Sequence, residues 1–176
     1  IKTICPLHGP VLTENLGYHL EKYDIWSSYR AEDSGVMIVY ASIYGNTAEA
    51  AERLADMLRN KGVKTEIADL TRDDMPQAVA NAFRYDKLAV ACATYDGWLF
   101  PVMEQFINRI KSKNYQNRKV ALIENGSWAP VANKVMRSMF ESMKNITFAE
   151  KSITVNSAVN EQTISELKEL AEELSK

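Results

Sequence analysis

Three stretches of this chain are apolar at nearly every consecutive position: Val36-Met37-Ile38-Val39-Tyr40-Ala41, Leu88-Ala89-Val90-Ala91-Cys92-Ala93 and Val120-Ala121-Leu122-Ile123. A strand with one wet face alternates, whereas a continuous run belongs to a strand covered on both faces, as in a parallel sheet flanked by helices. Between the runs the period changes to that of helices. Ala50, Ala51, Leu54, Ala55 and Leu58 mark a helix over about Thr47–Asn60, with Asn46 as its expected cap and Gly62 at its end. A strand over Lys64–Leu70 and a short helix over Met75–Phe83 follow. Beyond the strand Lys87–Ala93, a Pro101-led helix carries Val102, Phe106, Ile107 and Ile110 on one side. The strand Lys119–Glu124, a helix over Pro130–Met143, a weaker strand Ile153–Val155 and a helix from about Glu161 complete the chain. Strand and helix alternate five times, which predicts an α/β fold: a doubly wound five-stranded parallel sheet with helices on both faces.

Residues 1–35 read differently. Ile1–Tyr29 holds Pro6, Gly9, Pro10 and Gly17 with no sustained period, and Arg30–Gly35 is a short polar linker. We expect 1–35 to be the trailing segment of a preceding domain plus linker, and 36–176 to be one compact domain. Composition excludes several classes. Lys plus Arg number 21 against 23 acids, for a net charge of −2, so the basic excess of a nucleic-acid binder is absent. No apolar stretch approaches the roughly 18 residues of a membrane span, and nothing near Ile1 reads as a signal peptide. Cys5 and Cys92 form no CxxC and are expected as reduced thiols in a cytoplasmic protein.

In an open parallel sheet, ligands bind beyond the carboxyl ends of the strands. Three loops lie there. The first, Ser42-Ile43-Tyr44-Gly45-Asn46-Thr47, offers a glycine bend, hydroxyls, an amide and the N-terminus of the following helix. Such a set cradles a dianionic phosphate without a cation. It lacks the Gly-Lys-Ser/Thr of a nucleotide loop and the GxGxxG of a dinucleotide loop. The second, Thr94-Tyr95-Asp96-Gly97-Trp98-Leu99-Phe100-Pro101, groups three aromatics where a flat heteroaromatic ring can be held. Trp98 and Phe100 equally suit a cover for the sheet end. The third, Asn125-Gly126-Ser127-Trp128-Ala129-Pro130, repeats the pairing of glycine and aromatic, with Trp128 available as a second wall.

The stretch Ser42-x-Tyr44-Gly45-Asn46-Thr47 resembles the phosphate loop of flavodoxin-like FMN proteins, whose pattern is Ser/Thr-x-Ser/Thr/Tyr-Gly-Asn-Thr. Thr94–Gly97 and Asn125–Trp128 resemble that family's ring-binding loops. The resemblance covers Val36–Lys176 and implies a flavodoxin-like sheet of order 2-1-3-4-5. It also implies FMN as cofactor: Ser42, Asn46 and Thr47 on the phosphate, with backbone help from Ile43 to Gly45. Thr94, Tyr95, Asp96, Gly97 and Trp98, with Asn125, Gly126, Ser127, Trp128 and Ala129, would flank the isoalloxazine.

The N-terminal piece, Ile4-Cys5-Pro6-Leu7-His8-Gly9-Pro10-Val11 and then Tyr23–Tyr29, resembles the join in flavodiiron proteins (A-type flavoproteins). There a metallo-β-lactamase-like diiron domain runs into a flavodoxin-like domain. His8 matches the last iron-ligand histidine of that family. The other ligands are absent, and one histidine cannot hold two irons, so we expect no metal in this chain and an orphaned His8. The resemblance implies a C-terminal fragment of an O2 or NO reductase. Electrons would pass from a rubredoxin-like donor to FMN and on to a diiron site outside this chain, in a head-to-tail homodimer. The fragment alone would be an electron carrier.

Three other readings compete. A self-contained flavodoxin-fold carrier or NAD(P)H:quinone reductase would need its whole active site here. A receiver-like signalling module would need an acidic pair after the first strand, where Tyr40-Ala41-Ser42 stands. A flavin-free module would show no visible band. Because the three loops carry no cation, the FMN reading further predicts a low potential for adding the second electron.

Overall fold

The computed structural model describes residues 1–176. In chain order the elements are α1 (Leu16–Ser27), β1 (Asp33–Ala41), α2 (Asn46–Asn60), β2 (Thr65–Asp69), α3 (Met75–Arg84), β3 (Tyr85–Tyr95) and β4 (Trp98–Leu99). They continue with α4 (Pro101–Ser112), β5 (Arg118–Asn125), α5 (Ala132–Glu141), β6 (Ile146–Phe148), β7 (Ile153–Val155) and α6 (Glu161–Leu174). The main path of the sheet is β2-β1-β3-β5-β6, and every pairing on it is parallel. With β4 and β7 off this path, it is the expected flavodoxin-like 2-1-3-4-5 order.

The helices divide between the faces as right-handed crossovers require. On one face α3, α4 and α5 bring Ala78, Met103, Phe106, Met136 and Phe140 onto Met37, Val39, Val90 and Leu122. On the other, α2 and α6 bring Leu54, Leu58, Leu167 and Leu174 onto Ile38, Ala89, Ala121 and Ile123. Successive residues of the central strands thus feed opposite cores, which is why those strands read as continuous apolar runs.

Several local expectations need correction. The first strand starts at Asp33, three residues before the apolar run, because Asp33 already pairs with Tyr85 of β3, across a bulge that shifts the register before Val36. Helix α1 lies in a segment without a sustained period; none of its residues is buried, so burial leaves no period there. The fifth strand comes in two pieces, β6 and β7, both parallel to β5, with Ala149–Ser152 between them. β6 was not expected. The two-residue β4 turns back antiparallel on β3. Helix α5 begins at Ala132 rather than Pro130. Asn46 does not cap α2: the N-cap position is Gly45, at φ +93°, and Asn46 is the first helical residue.

Candidate functional site

The carboxyl ends of β1, β3 and β5 lie side by side, since Ala41 pairs with Cys92 and Ala93 with Asn125. β1 stops at Ala41 because the chain must reverse into α2. The reversal uses Gly45 in the left-handed region, where an added Cβ would meet nothing within 4 Å but would strain the backbone. The Gly45 N–H donates to Ser42 Oγ at 3.0 Å, and Glu49 N–H donates to the Gly45 carbonyl at 2.8 Å. The Ser42 hydroxyl oxygen therefore shapes the loop. No side chain caps the first turn of α2. By contrast Asp74 caps α3 and Asn160 caps α6. Thr47 is buried, whereas Tyr44 projects at 90% exposure.

β3 ends in a tight hairpin. Asp96 and Gly97, at φ +49° and +68°, join Tyr95 to Trp98 across the β3–β4 pair. Positive φ at both central residues of an Asp-Gly pair is the geometry of a type I′ turn. The second loop is thus regular structure. Leu99 is buried, the Tyr95 ring packs tilted on Phe100 with centroids 5.6 Å apart, and Tyr95 and Trp98 are about half exposed. The Thr94 hydroxyl accepts from the N–H groups of Val131 and Ala132.

β5 ends at Asn125, whose Nδ2 donates to the Ser157 carbonyl at 3.0 Å. The Gly126 N–H donates to the Val155 carbonyl at 3.1 Å. An added Cβ on Gly126 would lie 3.0 Å from Pro130 Cβ, so the loop folds closely on itself. Ala129 takes φ +43°, and Trp128 is 90% exposed at the tip.

A cavity of about 200 Å³ opens where these ends meet. It is lined by Ser42, Ile43, Tyr44, Asn46 and Thr47 from the first loop, Thr94 from the second, and Asn125, Gly126 and Ser127 from the third. Ala93 and Ser157 also line it. Gly45, Tyr95, Asp96, Gly97, Trp98, Trp128 and Ala129 do not. No lining side chain is charged. Sequence reasoning missed Ala93, the strand residue before Thr94, and Ser157, which follows β7 at φ +67°. The available signal was positional: the carboxyl end of the fifth strand belongs to the same rim.

Two larger cavities lie away from this rim. One is walled by Glu150–Ile153 and charged residues of α6; the other by Trp26, Tyr29, Phe83 and Arg118. Neither includes a strand-end loop of β1, β3 or β5. His8 is exposed on the N-terminal segment, and no three His, Cys, Asp or Glu side chains are grouped to hold a metal ion.

A family model described as a flavodoxin domain matches residues 37–160. An uncharacterized protein of Methanocaldococcus jannaschii is 22% identical over 175 residues, which is 99% of this chain and 44% of that protein. Among solved structures, rubredoxin oxygen:oxidoreductase from the anaerobe Desulfovibrio gigas superimposes at a TM-score of 0.90 with 19% identity, over 99% of this chain and 43% of the other. The flavodiiron protein from Giardia intestinalis superimposes at 0.88 with 22% identity, over 99% and 44%. The chain spans less than half the length of these relatives.

Proposed function

The chain belongs to the flavodoxin domain family, and on that premise we propose that its rim cavity binds FMN and that the domain transfers electrons within a longer flavodiiron-type reductase. The observation that carries the reading is the uncapped first turn of α2. Two residues of that turn, Asn46 and Thr47, line an uncharged cavity together with Ser42, and the loops of β3 and β5 stand beside it. A helix N-terminus with free N–H groups suits a dianionic phosphate, and the absence of cations matches a group held by dipoles and hydroxyls. The residues present therefore fit the phosphate end of FMN.

In this reading Asn46 and Thr47, with the backbone from Ile43 to Gly45, hold the phosphate, and Ser42 holds the loop in shape. Thr94 to Trp98 and Asn125 to Ala129 border the ring. Trp98 and Trp128 lie outside the cavity proper and would contact the ring's outer edge. Bound FMN would supply one- and two-electron transfer, which no side chain here provides. Residues 1–35 would be the end of a preceding diiron domain plus linker, and 36–176 the FMN domain. A rubredoxin-like protein would donate, O2 or NO would be reduced at the absent diiron site, and the parent would be a cytoplasmic homodimer. What supports the parentage is the likeness in fold over nearly the whole chain, N-terminal segment included.

Reconstitution tests the cofactor. Protein incubated with excess FMN and dialysed should retain a flavin absorption band, and riboflavin, which lacks the phosphate, should bind far more weakly. Asn46→Ala and Thr47→Ala should each weaken FMN while leaving riboflavin unchanged. A colourless protein after dialysis, or equal affinity for both flavins, overturns the assignment.

A further inference from the structure

We infer that Thr94 and Glu124 are positioning residues: together they fix the segment 126–131, whose Gly126 and Ser127 line the rim cavity, and the two amides that Thr94 accepts leave its hydroxyl as a hydrogen-bond donor. The inference rests on the reading of that cavity as the FMN site. Thr94 Oγ1 accepts from the N–H groups of Val131 at 3.0 Å and Ala132 at 3.2 Å. Glu124 is buried at 6% exposure; its Oε2 accepts from the Asn133 N–H at 2.8 Å and its Oε1 from the Thr154 hydroxyl at 2.9 Å. Three consecutive amides at the start of α5 are thus satisfied from outside the helix, by side chains of β3 and β5. The helix does not do this for itself, because its N-cap position is Val131, which has no acceptor.

The consequence is a loop pinned at both ends. Gly126 is held by the Val155 carbonyl and residues 131–133 by Thr94 and Glu124. Between them the segment carries Ser127, which lines the cavity, and the exposed Trp128. Where Ser127 sits thus depends on the far anchor. Thr94 does a second thing. Its oxygen has two lone pairs, and both are used by the two amides, so only its hydrogen remains. Thr94 also lines the cavity. It therefore presents a donor and no acceptor, and it favours ring atoms that accept.

The test uses the whole chain and two readouts. The first is amide exchange without flavin: Thr94→Val should speed exchange at Val131 and Ala132, and Glu124→Ala at Asn133. The second is FMN affinity: each variant should bind about tenfold more weakly, the size of one net hydrogen bond. Thr94→Ser should restore both readouts. Glu124→Gln keeps one acceptor for Asn133 and one partner for Thr154, and should stay within about twofold of wild type. If Thr94→Val fails to fold, Glu124→Ala carries the same test through Asn133. Faster exchange with unchanged FMN affinity overturns the inference while leaving the cofactor assignment standing, as does unchanged exchange. Wild-type protein that takes up no FMN overturns both.

Discussion

The Arg118 guanidinium donates from Nη1 to the main-chain carbonyl of Tyr29 at 2.8 Å, joining the N-terminal segment to the start of β5. The same side chain donates to the carbonyls of Tyr85, Phe83, Gln116 and Asn117, is 3% exposed, and forms no ion pair with a carboxylate. Burial pulls its pKa below the usual arginine value. The planar fork of N–H donors reaches five carbonyls from separate stretches of chain at once, which a lysine's three rotatable donors cannot reproduce. Arg118→Met should leave several of those carbonyls unpaired and cost about 3 kcal/mol. Urea unfolding checks the cost, and limited proteolysis should show faster cleavage before Tyr29.

The acid limb of stability should contain Asp33. Hydrogen bonds from Lys64 and then Arg84 hold its carboxyl below the usual aspartate value. A carboxyl depressed in the folded state stabilises fully above its unfolded pKa of about 4, and the contribution is lost as pH falls below that toward the folded value. The site is partly exposed, so the term is on the order of 1 kcal/mol. Asp33→Asn should lower stability at pH 7 by that amount and converge with wild type near pH 2, as followed by chemical unfolding across pH.

The two cysteines should separate cleanly by reactivity. Cys5 is exposed, whereas Cys92 is buried and its thiol is pushed up to about 12, chiefly by burial. The thiolate is the nucleophile, so Cys92 is inert at neutral pH. A colorimetric thiol reagent should titrate one thiol in the native protein and two in denaturant.

Two glycines should differ in kind. At Gly45 the φ of +93° is strained for any other residue, but the space for a Cβ is open. Gly45→Ala should fold and lose about 1–2 kcal/mol. At Gly35 a Cβ would run into the Lys64 carbonyl and the Tyr85 ring, where β1 meets β2. Gly35→Ala should cost more than Gly45→Ala, and paired thermal melts decide it.

With FMN bound, the potential for adding the second electron should fall well below that of free FMN, because no lining residue is cationic and a second negative charge gains only dipoles. Dithionite titration with a reference dye measures it, and a value at or above free FMN would sink the expectation.

The sheet was legible because burial writes itself into local pattern. Val36–Ala41, Leu88–Ala93 and Val120–Ile123 are covered on both faces, and α2 shows its core side at every turn. The rim loops were legible too, since a strand's end and a helix's start bracket each one. Elements with little burial were not: α1 hides no residue, and Ile146–Phe148 is too short and too partly exposed to stand out.

The sequence by itself determined the order of layers and which loops share a rim, because these follow from hydrophobic periodicity over neighbouring residues. Only the tertiary structure decided that Thr94 reaches Val131, that Glu124 reaches Asn133 and Thr154, that Ser157 joins the cavity and that Arg118 holds Tyr29. Those contacts join polar groups on different elements. A hydrogen bond between them has no local period, and its partners are fixed only when the sheet sets its register.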